Sequence, residues 1–61
     1  MAAFIKIETT NRDSAVLNTA EISSIEETRY SDRNATAIIM NDKRTYYVYK
    51  SVEAIYTEIM A

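Results

Sequence analysis

Cysteine, histidine, glycine, proline and tryptophan are all missing from this chain of 61 residues. Each absence closes off some chemistry. Without cysteine there is no disulfide and no thiolate nucleophile. Without histidine as well, zinc and iron sites of the usual ligand type are excluded, so no metal or cofactor is expected. Without glycine, no loop can cradle a phosphate as P-loop and dinucleotide fingerprints do. With neither glycine nor proline, turns are expected to rely on asparagine and aspartate, which best tolerate left-handed backbone. The missing cysteine also fits a reducing compartment.

Charge of one sign is scarce too. Nine acidic and seven basic residues are interspersed, for a net charge of −2. No basic run marks a nucleic-acid surface, and no apolar run reaches the length of a membrane span. Met1-Ala2-Ala3-Phe4-Ile5-Lys6 lacks the charged start and long apolar core of a signal peptide. A cytoplasmic location is therefore expected. The length predicts a single domain over residues 1–61. A chain this short buries roughly 60% of its unfolded surface and is marginally stable alone. Disulfides and metals being absent, association with another chain is the stabilising device that remains.

What is present is strand and helix periodicity. Phe4 to Thr9 alternates, with Ile5 and Ile7 on one face and Phe4, Lys6 and Glu8 on the other. Thr10-Asn11-Arg12-Asp13 reads as a turn and Ala15-Val16-Leu17 as the second strand of a hairpin. Asn18 or Thr19 is placed to cap a single helical turn. Ile22 and Ile25, three apart, suit such a turn followed by a change of period. Ile25 to Tyr30 predicts a third strand near an edge, Ser31 to Asn34 a hairpin loop, and Asn41-Asp42-Lys43 another. Ser51 can cap a helix whose Val52, Ile55, Tyr56 and Ile59 form one apolar face, with Glu53, Thr57 and Glu58 on the wet side. Eleven residues form no stable isolated helix. This one is expected to pack on Ile5, Ile7, Val16 and one parity of the last two strands.

The strands Ala37-Ile38-Ile39-Met40 and Tyr46-Tyr47-Val48-Tyr49 are apolar at both parities. Side chains alternate between the faces of a strand, so both faces of this sheet need cover and one helix supplies it for only one. The second face is expected to meet another protein chain. Tyr47, Tyr49, Ile38 and Met40 are the expected interface. Tyrosine is a good strand residue in its own right and is also enriched at interfaces.

Arg12, Arg33, Lys43 and Arg44 lie in or beside the turns. They form an anion site if the turns gather at one end, although Asp13, Asp32 and Asp42 stand beside them. A small nucleotide is the ligand chemistry this leaves open. Glu21, Glu26 and Glu27, with Arg29 nearby, read as a solvated strand face rather than a catalytic pair. The serines have no histidine to activate them, and Lys6, Lys43 and Lys50 read as exposed. No catalytic residue is expected, and the chain is not expected to be an enzyme.

The order of these pieces resembles the FlbD-like (SwrD-like) small flagellar proteins. The likeness is carried by Phe4-Ile5-Lys6-Ile7, Val16-Leu17-Asn18, Ile22-Ser23-Ser24-Ile25-Glu26, Ile38-Ile39-Met40-Asn41, Tyr47-Val48-Tyr49 and Ser51-Val52-Glu53 with Ile55 and Ile59. It covers nearly the whole chain and implies a non-enzymatic accessory protein. Size and element order also resemble the carbon storage regulators, small dimeric RNA-binding proteins, without their basic strand edge or glycine-rich turns.

The expected architecture is α+β: a curved antiparallel sheet of about five strands with one C-terminal helix packed on one face. The expected function is protein binding by an accessory or regulatory factor, acting as a homo-oligomer. One rival is a phage-encoded inhibitor that binds a host defence protein or sequesters a small nucleotide signal. Another is a small RNA-binding regulator, against which the acidic balance speaks.

Overall fold

The computed structural model describes all residues, Met1–Ala61. Its order is β1 (Phe4–Glu8), β2 (Ser14–Asn18), a 3₁₀ turn (Thr19–Glu21), β3 (Ile22–Tyr30), β4 (Arg33–Met40), β5 (Thr45–Val48) and α1 (Val52–Met60). The α+β class is as expected, but the five strands divide into two antiparallel sheets, β1-β2 and β3-β4-β5. The 3₁₀ turn is the reason. It carries the chain out of the first ladder, so β2 and β3 follow one another without pairing. Asn18 caps the turn, its side-chain oxygen accepting from the Ala20 amide at 3.0 Å.

The core lies between the two sheets and the helix. Ile5, Ile7 and Leu17 contribute from the hairpin, Ile38 and Val48 from the larger sheet, and Ile55 from α1. Ile22, Ile25, Met40, Tyr46 and Ile59 pack around them. Ile22 and Ile25 share this face although they are an odd number of positions (three) apart, because a bulge between Ile22 and Ser24 shifts the register.

Val16 is not a core residue. It is 65% exposed, whereas Leu17 is 4% exposed. Register decides this. Ile5 pairs with Leu17 and Ile7 with Ala15, while Val16 pairs with Lys6 on the outer side. Residues opposed in an antiparallel pair share a face, so Val16 goes out with Phe4, Lys6 and Glu8.

Ser51 caps α1, its hydroxyl accepting from the Ala54 amide at 3.1 Å. The buried stripe is rotated from the one the apolar spacing predicts. It centres on Ile55, leaves Tyr56 exposed, and brings Glu58 to a half-buried position. There Glu58 accepts from the Lys50 ammonium at 3.0 Å. Chain ends meet as well: the Ala2 amide donates to the Ile59 carbonyl at 2.9 Å, and the Thr19 hydroxyl donates to the Ala2 carbonyl at 2.6 Å.

The turns correct the expectation that asparagine and aspartate take the left-handed positions. Positive φ occurs at Arg12, Ser31, Asp32 and Lys43, of which only Asp32 is of the expected type. Other turn side chains act as acceptors instead. The Thr9 hydroxyl accepts from the Asn11 and Asp13 amides, and the Asp42 carboxylate accepts from the Arg44 amide. The β3–β4 loop is only Ser31 and Asp32, with Arg33 and Asn34 already in β4.

No helix is long and apolar enough to cross a membrane.

Candidate interaction surface

The outer face of β3-β4-β5, turned away from the core, carries a tyrosine cluster. Ala37 opposes Tyr47 in the β4–β5 ladder, and Tyr49, one residue beyond β5, continues the same alternation. On the other side of β4, Tyr30 opposes Arg33 and Thr28 opposes Ala35. Arg33, Ala35 and Ala37 therefore form one row, with Tyr30 on one flank and Tyr47 and Tyr49 on the other. The rings lean in over the small alanines. Tyr30 and Tyr47 have centroids 5.3 Å apart at a tilt of 31°, and Tyr30 meets Tyr49 edge-on at 6.3 Å. These separations lie within the favourable range for aromatic pairs. The Arg33 guanidinium sits 3.8 Å above the Tyr49 ring, a cation–π contact. Ala35 and Ala37 are buried under this layer although they lie outside the main core.

The four residues expected to form one interface do not share a face. Ile38 opposes Tyr46, and Thr36 opposes Val48. Ile38 is 0% exposed at the centre of the core and Met40 packs against it. The β4–β5 register matches even-numbered residues with even-numbered ones, which puts Ile38 and Met40 inside and Tyr47 and Tyr49 outside. Ile38 has no surface to offer a partner. Tyr30 and Arg33 take its place beside Tyr47 and Tyr49. The sequence places Tyr30 at the end of the third strand but not beside Tyr47 and Tyr49. The signal lay in the small residues at Ala35 and Ala37, which leave room for rings from both neighbouring strands.

A groove of about 340 Å³ borders this surface where Tyr30 and Tyr47 approach the Thr9–Asp13 turn. The Thr10 amide donates to the Tyr47 carbonyl at 2.9 Å and holds the hairpin tip against β5. Phe4 and Val16 are further exposed apolar residues, on the outer side of the β1-β2 hairpin.

The basic residues do not gather. Arg33 begins β4, whereas Lys43 and Arg44 follow its far end. Eight residues of strand separate them by about 23 Å at about 3.3 Å per residue. Arg33 is engaged with Tyr49, and Arg44 lies 3.5 Å from the Asp42 carboxylate. The Arg44 guanidinium is pushed up from its ordinary value, first by its side-chain hydrogen bond with Tyr46 and then by Asp42. Arg12 sits in the β1–β2 turn. This arrangement is dispersed charge rather than a four-residue anion cradle.

Comparison with protein-family models, with curated proteins and with solved structures finds no match.

Proposed function

We propose that this chain is a non-enzymatic, protein-binding accessory or regulatory factor that works as a homo-oligomer. The observation that carries this reading is the cluster of Tyr30, Tyr47 and Tyr49 with Arg33 on the sheet face that the helix leaves uncovered. Tyrosine and arginine are enriched among the residues that carry most of the energy of protein interfaces, because each presents a large flat surface with a polar end. Here they are already packed against one another, so little side-chain freedom remains to be lost on binding. The resemblance to the FlbD-like flagellar proteins supports an accessory role.

The test is affinity capture from cell lysate with wild type and with Tyr47→Asp, each with and without nuclease. Circular dichroism checks the fold of the variant. The expected result is a set of proteins retained by wild type, insensitive to nuclease, and lost from the folded variant. The same proteins on both baits would remove the tyrosine face from the function. Capture abolished by nuclease would replace protein binding with RNA binding.

A further inference from the structure

Strand β3 is the outermost strand of the larger sheet. At the opposite side, β5 receives the Thr10 amide, but no hydrogen bond outside the β3–β4 ladder uses a main-chain group of Ser23 to Tyr30. A strand of nine residues thus presents an open edge, the feature that templates pairing with another strand. The bulge between Ile22 and Ser24 and the charges of Glu26, Glu27 and Arg29 restrict what this edge can pair with, so a partner strand must match those charges.

We infer that this edge pairs antiparallel with the β3 edge of a second copy, about a two-fold axis at Thr28. The inference rests on the homo-oligomer reading and specifies its contact. Geometry and charge select the register. Ser31 and Asp32 both have positive φ, the type I′ pattern, in which the Tyr30 carbonyl accepts from the Arg33 amide. Alternation along the ladder then turns the main-chain groups of Thr28 and Glu26 toward β4 and those of Arg29, Glu27 and Ile25 outward.

A two-fold axis perpendicular to the sheet keeps each side chain on its own face. Opposed residues in an antiparallel pair share a face. The axis must therefore pass through a residue that meets its own copy. Centring on Glu26, Glu27 or Arg29 sets like charges directly against each other, which opposes pairing. Centring on Ile25 or Ser24 drives the ladder through the bulge. Centring on Tyr30 leaves little but the hairpin tip to pair. Thr28 remains. There Thr28 meets Thr28, a favourable strand pair, and Glu27 meets Arg29 twice by symmetry. The outward main-chain groups of Glu27 and Arg29 are the ones that exchange hydrogen bonds in this register. Arg29 is already engaged within its own hairpin, where its guanidinium donates to the Asn34 side chain at 3.0 Å and the Asp32 carbonyl at 2.7 Å. Three of its five N–H donors remain for the Glu27 carboxylate.

The product is a continuous six-stranded sheet, three strands from each copy. Both tyrosine clusters lie on the same side of it, which makes the assembly bivalent for a partner protein.

The test combines light scattering over a dilution series with two kinds of variant. Thr28→Cys introduces the only cysteine of the chain. In this register it sits in a non-hydrogen-bonded pair, with Cα atoms about 4.5 Å apart, inside the range a disulfide spans. Mild oxidation should give a covalent dimer with a native spectrum, whereas Thr45→Cys on β5 should stay monomeric under the same treatment. Glu27→Lys should weaken the wild-type dimer about tenfold or more by setting lysine against Arg29. The charge-swapped Glu27→Lys/Arg29→Glu chain should regain it. A wild-type oligomer that neither cross-links through position 28 nor responds to Glu27→Lys would overturn the β3 edge and leave self-association standing elsewhere. A wild-type monomer at every concentration would overturn both the edge pairing and the homo-oligomer reading.

Discussion

The Thr36 hydroxyl, fully buried in the core face of β4, donates a 2.7 Å hydrogen bond to the Lys50 carbonyl. This bond ties the middle of the sheet to the link between β5 and α1, one residue before the helix cap. Thr36→Val keeps the shape and removes the donor. It should cost about 0.5–1.5 kcal/mol, the usual net worth of one such bond, because the Lys50 carbonyl loses its partner at a half-buried site. Chemical denaturation measures the loss, and an unchanged midpoint would show that the bond contributes nothing net.

Ile55 is the fully buried residue of α1 and the one that joins the helix to the six-residue core. Ile55→Ala should cost about 2–5 kcal/mol, from lost burial and the cavity left behind. Ile55→Asp should leave the chain unfolded, since it places a charge where no partner can reach it. A cooperative, wild-type-like melt for Ile55→Asp would contradict the packing of α1.

The β1–β2 register makes opposite predictions for adjacent residues. Val16→Thr should change stability by less than about 0.5 kcal/mol, as is usual for exposed positions. Leu17→Ala should cost about 2–5 kcal/mol. Thermal melts of the two variants check the register, and a reversal of their order would mean that the hairpin is shifted by one residue.

Lys43 holds φ at 74° in the β4–β5 turn without being glycine. A left-handed conformation costs a residue with a Cβ about 1–2 kcal/mol. Lys43→Gly removes that strain but adds freedom to the unfolded chain, so a net gain of about 0.5–1 kcal/mol is expected. The midpoint of denaturation should rise; a fall would mean that the lysine side chain supports the turn more than its backbone strains it.

The elements themselves were legible along the chain. Alternation at Ile5 and Ile7, the Ser51 cap ahead of Val52, and the paired apolar parities of β4 and β5 depend only on local geometry, with its periods of 2 and 3.6. These determined five strands and one C-terminal helix. They also placed the helix cap and the turn after Asn18. Which parity faces inward was not a local matter. It depended on loop length and register, because a shift of one residue exchanges the faces of a strand. Val16 and Leu17, or Ile38 and Tyr47, are equally apolar in a one-dimensional reading, and only pairing with β1 or β5 separates them. The tertiary structure likewise decided that Tyr30, 17 residues before Tyr47, lies beside it, and that Arg33 rests on Tyr49. Contacts across three strands are set by the hairpins that fold them together, and no spacing along the chain encodes them directly.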